Sequence, residues 1–495
     1  MSSLMPLAIA LGVTLVVTLA RLSGTVDSDV AWQLWIAGRI HAGANLYTDV
    51  IETNPPLWFW MAILVERAAA IFHVRIESAL VVAIGISVAL ALAATDRLTR
   101  FFEPVQRSLF LAYAALMLAA MPWMHVGQRE QIVLIATLPY TALITARHRG
   151  DTVSPHLAFL VGTGAALGFA LKHYFLAIPA SLELWLIASA WRQWRPIRPE
   201  TCALVCAAIV YAAAIVLLEP DFITRIVPLL RLAYGVFGAP SARFLFGPFA
   251  VVGLATLAVV ATQWRTLASG RALLAAALSV AGAAFAMVYF VQFKGWLYHS
   301  IPMIGCGSLA LAALLAEAPP TRLLRILAPA ALAVPLALSV QEIANSDGPS
   351  ADLANAVAGL QPGDSVGFLT TETAVPWSVT LQGGFRYASR YNGFWMMRAI
   401  IRDELSGTGD PRLEALGRQI VAETVADFTC IPPARIIVTR PRPGEATFDI
   451  LPFFLRDARF GALLSHYRIR SRTSVETYEL VTPFPAATAG CRHGV

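Results

Sequence analysis

Apolar runs long enough to cross a lipid bilayer recur from Leu4 to about Gln341 and then stop. A spanning helix needs roughly 20 mostly apolar residues, because backbone polar groups in hydrocarbon must be satisfied within the segment itself. Of the 495 residues, 57% are hydrophobic and only 14% charged, with a mean hydropathy of +0.64. That balance excludes an ordinary soluble domain and points to a multi-pass α-helical membrane protein.

The runs predict about eleven spans: 4–22, 77–95, 108–122, 131–146, 156–171, 174–190, 201–218, 248–263, 272–291, 300–316 and 323–341. The stretch from Pro56 to Phe72 is apolar but carries Glu66 and Arg67. It is read as a juxtamembrane helix lying in the interface, since a charge at mid-membrane costs about 2.5 to 3.5 kcal/mol on insertion scales. The first run has no basic leader and no small-residue cleavage site, which reads as a retained anchor. With the N-terminus inside, short connections rich in Arg97, Arg100, Arg107, Arg147, Arg149, Arg192, Arg195 and Arg198 fall on the cytoplasmic side.

That orientation collects the chemically richer segments on the outer face. They are the loop 23–76, the stretch His125 to Glu130, Lys172-His173-Tyr174, and Lys294 to His299. The net charge of +6 comes almost wholly from arginine, and Lys172 and Lys294 are the only two lysines. Residues 1–344 form the expected membrane domain and 345–495 a small soluble α/β domain. In the latter, Ser365 to Thr370, Arg435 to Thr439 and Ser471 to Val481 read as strands, and Arg412 to Val425 has helical periodicity. Cys202, Cys206 and Cys306 lie in apolar runs as packing residues, whereas Cys430 and Cys491, both in the tail, are a possible disulfide pair in an oxidising compartment.

Asp27 and Asp29 flank Ser28 just before an apolar helical pattern. Capping free helix N–H groups is one role for such residues, and general base toward an acceptor hydroxyl is another that capping does not preclude. Glu52 and Asn54 precede Pro55-Pro56, a rigid corner, and are candidate substrate contacts. His125-Val126-Gly127-Gln128-Arg129-Glu130 holds more polar groups than a short turn needs. Gln128, Arg129 and Glu130 either form an internal ion pair with a helix cap, or Arg129 holds a phosphate that Glu130 orients. Lys172 and Lys294 end apolar segments beside His173, Trp296, Tyr298 and His299. Snorkelling to headgroups would account for them, but an anionic phosphate is the better partner where water is sparse. Nucleotide-binding, serine-hydrolase, zinc-protease and CxxC templates are all absent.

The acidic first loop with Asp27 and Asp29, the turn Gly43-Ala44-Asn45-Leu46-Tyr47-Thr48-Asp49, and Glu52-Thr53-Asn54-Pro55-Pro56-Leu57 leading into an interfacial helix together resemble the GT-C superfamily of membrane glycosyltransferases. The likeness is to the protein-mannosyltransferase and aminoarabinose-transferase type. It implies a polyprenyl-phosphate sugar donor and a first-loop carboxylate, Asp29 or Asp27, as catalytic base. Aminoarabinose transferases place a lysine immediately before Pro-Pro, where this chain has Asn54. The expected phosphate contacts therefore shift to Arg129, Lys172 and Lys294, with Tyr298 and His299 beside them and Glu52, Asn54, Gln128, Glu130, His173 and Trp296 contacting substrate.

The expectation is an inverting transfer to an acceptor glycan, lipid or protein at the periplasmic face of a bacterial inner membrane, with no nucleic acid involved. No metal ligands or cofactor are assigned, although two nearby acids and Glu130 are compatible with a divalent cation. A flippase or exporter, or a polymerase or ligase of lipid-linked saccharides, is the alternative. The concentration of basic and aromatic groups on one face argues against a path across the bilayer.

Overall fold

A computed structural model describes residues 4–236, 242–346, 348–440 and 449–482. Helices occupy all eleven expected segments. Six are long and apolar enough to cross a membrane: Ile76–Leu98, His173–Ala190, Pro199–Leu218, Leu273–Gln292, Leu297–Glu317 and Arg322–Ala344. Met5–Arg21, Pro104–Ala120, Pro155–Phe169 and Pro248–Ala261 are apolar but shorter. The chain is a multi-pass membrane protein with six such candidate spans among the described residues, fewer than the eleven expected.

The chain divides into two compact units. One comprises Met1–Asp27, Arg67–Ala214 and Ala239–Ser346, and the other Ser28–Glu66, Ile215–Gly238 and Asp347–Val495.

In the first unit the helices Arg129–Arg149 and Ile301–Glu317 are buried along almost their whole length. The second is rich in Gly and Ala, so neighbouring backbones approach closely. A Cβ on Gly305 would lie 2.3 Å from Leu134 Cδ2, closer than any side chain tolerates. Helices Pro248–Ala261 and Leu273–Gln292 pack on Ile301–Glu317, while Met5–Arg21 packs on Ile76–Leu98 and Pro104–Ala115. By contrast only 6% of Pro199–Leu218 is buried, the exposure of a lipid-facing helix. Several helices start on Pro at the first turn, where its missing N–H costs nothing. The inner-connection arginines are partly consumed internally. Arg147 donates Nε and Nη2 to buried Glu200 at 2.9 and 3.0 Å, and Arg198 joins Glu183 to the same carboxylate.

The second unit carries a five-stranded sheet. Its strands are β1 (Ser365–Leu369), β2 (Arg386–Tyr387), β3 (Arg435–Thr439), β4 (Tyr467–Arg472) and β5 (Val475–Leu480), in the order β2-β1-β3-β5-β4. β1 pairs parallel with β2 and β3, while β5 is antiparallel to both β3 and β4. The expected single late strand is thus a β4–β5 hairpin, and the expected helix runs from Pro411 to Cys430.

The same unit contains most of the first loop. Its helix Ser28–His41 places Trp32 and Trp35 in stacked contact at 5.0 Å, with Trp377 and Tyr387 against them. Ile51 N donates to Arg390 O at 2.8 Å, and Arg390 is itself fixed by Asp427 at 2.7 Å. Cys202, Cys206 and Cys306 are free and Cys430 is disulfide-bonded; Cys491 lies outside the described residues.

Candidate active site

The first unit gathers one polar cluster from five separate stretches of chain. Its scaffold is the turn after helix Pro104–Ala115, which continues as a π-turn over Leu116–Ala120 and a short 3-10 turn over Trp123–His125. Gln131 staples this connection by accepting from Gly127 N at 2.8 Å and donating to Leu118 O at 2.9 Å. Gly127 has φ +83°, and a Cβ there would lie 2.6 Å from Leu80 Cδ2. Gly127→Ala should therefore cost about 1 to 3 kcal/mol. The check is thermal unfolding of the detergent-solubilised variant, and an unchanged midpoint would show that the turn relaxes freely.

Asp27 reaches this turn from the end of the N-terminal segment. His125 Nδ1 lies 3.1 Å from Asp27 Oδ2, and Gln128 Nε2 donates to Asp27 Oδ1 at 3.2 Å. His125 Nε2 lies 3.0 Å from Glu342 Oε1, near the end of helix Arg322–Ala344. Burial of the ring opposes its charge. The carboxylates of Asp27 and Glu342 outweigh that and push the imidazole up to about 9.

Tyr298 links this group to a second one. Its ring is 5.9 Å from that of His125 and 5.7 Å from Lys172 Nζ. Lys172 Nζ donates to Glu130 Oε1 at 2.6 Å and sits 3.2 Å from His299 Nε2. Arg129 and Glu130 open helix Arg129–Arg149, where the acid also matches the positive end of the helix dipole. Arg129 is only 4% exposed and Glu130 only 1%. Arg129 Nε and Nη1, Glu130 Oε2, Gln128 Oε1 and His299 Nδ1 are buried with no hydrogen-bond partner among the described residues. Lys172, Arg129 and Lys294 all lie within electrostatic reach of His299. Burial lowers the Lys294 ammonium from its usual range. The cluster is therefore a largely buried polar wall with the carboxylates of Asp27 and Glu342 around His125 at one end and an excess of positive charge from Arg129, Lys172 and Lys294 at the other.

No family model and no curated relative matches the chain. Solved structures do. ArnT from Cupriavidus metallidurans bound to undecaprenyl phosphate aligns over 95% of this chain and 97% of that chain, with 13% identity and a TM-score of 0.54. The apo state of the same protein aligns over the same shares at 0.51. The chain therefore shares the fold of ArnT. The archaeal oligosaccharyltransferase AglB from Archaeoglobus fulgidus aligns more loosely, with 11% identity, 97% and 74% coverage and a TM-score of 0.47.

Within this fold the structure brings together Asp27, Gln128, Arg129, Glu130, Lys172, Tyr298 and His299, all named from sequence. Glu130 pairs with Lys172 rather than with adjacent Arg129. Trp296 is partly exposed and lies over Tyr298 and His299 at 5.9 and 5.2 Å. His173 is exposed, its ring tilted against that of Tyr174 at 3.9 Å.

Asp29, Glu52 and Asn54 belong to the other unit. Asp29 lies in the first turn of helix Ser28–His41. Glu52 is buried and holds its own corner, accepting from Thr53 N, Asn54 N and Asn54 Nδ2 at 2.7, 2.8 and 2.6 Å and from Trp32 Nε1. Two residues of the cluster were not singled out from sequence. His125 was one polar residue in a polar stretch, and Glu342 is the lone acid at the end of the last apolar run. That isolated acid was the available signal. Among the described residues no group of three or more His, Cys, Asp or Glu is arranged to hold a metal ion.

Proposed function

We propose that this protein is a membrane glycosyltransferase that moves a sugar from a polyprenyl-phosphate donor to an acceptor hydroxyl with inversion at C1. The observation that carries the proposal is Arg129. A permanently charged guanidinium, buried with Nε and Nη1 lacking acceptors among the described residues, is costly unless an anion arrives to take those bonds. The likeness in fold to ArnT, a structure of which holds undecaprenyl phosphate, supports a lipid monophosphate as that anion. Lys172 and Lys294 add positive charge beside it, and the aromatic rings of Tyr298 and Trp296 border the same wall.

In the reaction, the acceptor oxygen attacks C1 as the bond from C1 to the phosphate oxygen breaks. The hydroxyl proton passes to a first-loop carboxylate. Asp27 is the favoured base because it sits in the same cluster as Arg129, with Asp29 as the other candidate. The departing lipid phosphate keeps the electron pair of the broken bond, and Arg129 with the two lysines offsets its charge. The active face and the acceptor lie in the periplasm of a bacterial inner membrane. No cofactor is assigned, and the cations of the cluster supply the charge stabilisation.

The test is sugar release from a panel of radiolabelled polyprenyl-phosphate sugars by the purified protein in detergent, with and without EDTA, beside Arg129→Gln. Release that is insensitive to EDTA, with donor affinity about 10-fold or more weaker in the variant, is expected for loss of a charge-assisted pair. Undiminished donor binding in Arg129→Gln would remove Arg129 from the phosphate site. Binding of diphosphate-linked oligosaccharides alone would turn the reading to a polymerase or ligase.

A further inference from the structure

His125 stands between two carboxylates supplied by opposite ends of the membrane unit's sequence, Asp27 and Glu342. A neutral imidazole has one N–H and could donate to only one of them, leaving a ring lone pair facing the other carboxylate. Donation to both requires the doubly protonated ring, so the geometry itself calls for the cation. The last helix is tied to the same connection a second time, since Ser339 Oγ donates to Met121 O at 2.6 Å. The groups facing the His125 side chain are Asp27 from the N-terminal segment, Glu342 from the last helix and Tyr298 from the 3-10 turn Leu297–Ser300. Lys172 lies beyond the Tyr298 ring, and Arg21 stacks on Trp123 two residues back.

We infer that His125 and Glu342 form a positioning pair for Asp27: Glu342 keeps the imidazole cationic, and the imidazolium holds one carboxylate oxygen while Gln128 holds the other. The pair touches no reacting atom. It sets the rotamer of Asp27. This inference rests on reading Asp27 as the base.

The imidazole is held above its ordinary 6.5, so its contribution to folding is fully present below about that pH. It drains away as pH rises through about 9. The experiment compares wild type with Glu342→Gln and His125→Gln in two readouts: the pH dependence of kcat and the pH dependence of the thermal midpoint. In Glu342→Gln the alkaline limb of kcat should move down by about one pH unit or more, with KM for the donor little changed. Between pH 7 and 10 its thermal midpoint should fall less than that of wild type. His125→Gln should lower kcat about 10-fold or more and lose that limb. A Glu342→Gln variant that is less stable by the same amount at every pH, with its alkaline limb in place, would make the pair purely structural and overturn the inference. If Asp27→Asn still turns over, the base reading fails. The midpoint-against-pH comparison then still decides whether Glu342 holds His125 charged.

Discussion

Asp27→Asn should lose sugar transfer by about 10²- to 10⁴-fold, the contribution of a positioned general base. The substitution is close to isosteric and keeps an oxygen for Gln128, so the loss should come with a near-normal fold. Asp29→Asn is the matched control. Asp29 lies in the first turn of Ser28–His41, where a carboxylate supports the helix start by about 0.3 to 1 kcal/mol. It should keep most turnover. Single-turnover transfer from a labelled donor measures both. Full activity in Asp27→Asn with a dead Asp29→Asn would move the base two residues downstream, and activity in both would dismiss a first-loop base.

The second large effect is on stability. Lys172 is the cation that Glu130 faces, at 2.6 Å, and Glu130 is almost wholly buried with Oε2 lacking a hydrogen-bond partner among the described residues. Lys172→Met strands that carboxylate. Breaking a buried pair by removing one partner typically costs about 3 to 5 kcal/mol, whereas removing both can be nearly neutral. The expected result is a steep fall in thermal midpoint for Lys172→Met, with much of it recovered in the double variant Lys172→Met with Glu130→Leu. An additive double variant would mean that the pair is decoration on an otherwise stable bundle. The double variant should stay catalytically poor, because the charge beside Arg129 is still missing.

Arg129 and Lys172 play different parts in the cluster. Lys172 already has protein partners, so its first role is to keep Glu130 and His299 in place. Arg129 Nε and Nη1 have no acceptor among the described residues, so it is the group whose substitution should be felt in donor affinity rather than in folding.

Much of this was legible along the chain. A membrane helix announces itself in consecutive residues, because lipid demands apolar side chains over its whole length. All eleven apolar segments were therefore located, although only six are long and apolar enough by themselves to span. Strands β1 and β3 were visible as short, mostly apolar runs, while the β4–β5 hairpin was blurred because its turn, Thr473-Ser474, lacks the Gly or Asn that usually marks one. Arg129, Glu130, Lys172 and His299 stood out because charged or titratable groups at the ends of apolar runs need a reason.

What the sequence by itself determined is thus the apolar helical segments, the C-terminal α/β elements and a set of costly polar residues. Which of them meet was decided by tertiary packing. Glu130 could as well have paired with its neighbour Arg129, and only the approach of the helix ends puts Lys172 there instead. Glu342 looked like the polar end of a last span until helix Arg322–Ala344 brought it to His125, 217 residues away. Trp32 and Trp35 of the first loop likewise pack against Trp377 and Tyr387, far along the chain. Hydropathy is a property each residue carries along the chain. An ion pair or aromatic contact depends on two backbones arriving within a few ångströms, and no local pattern encodes that distance.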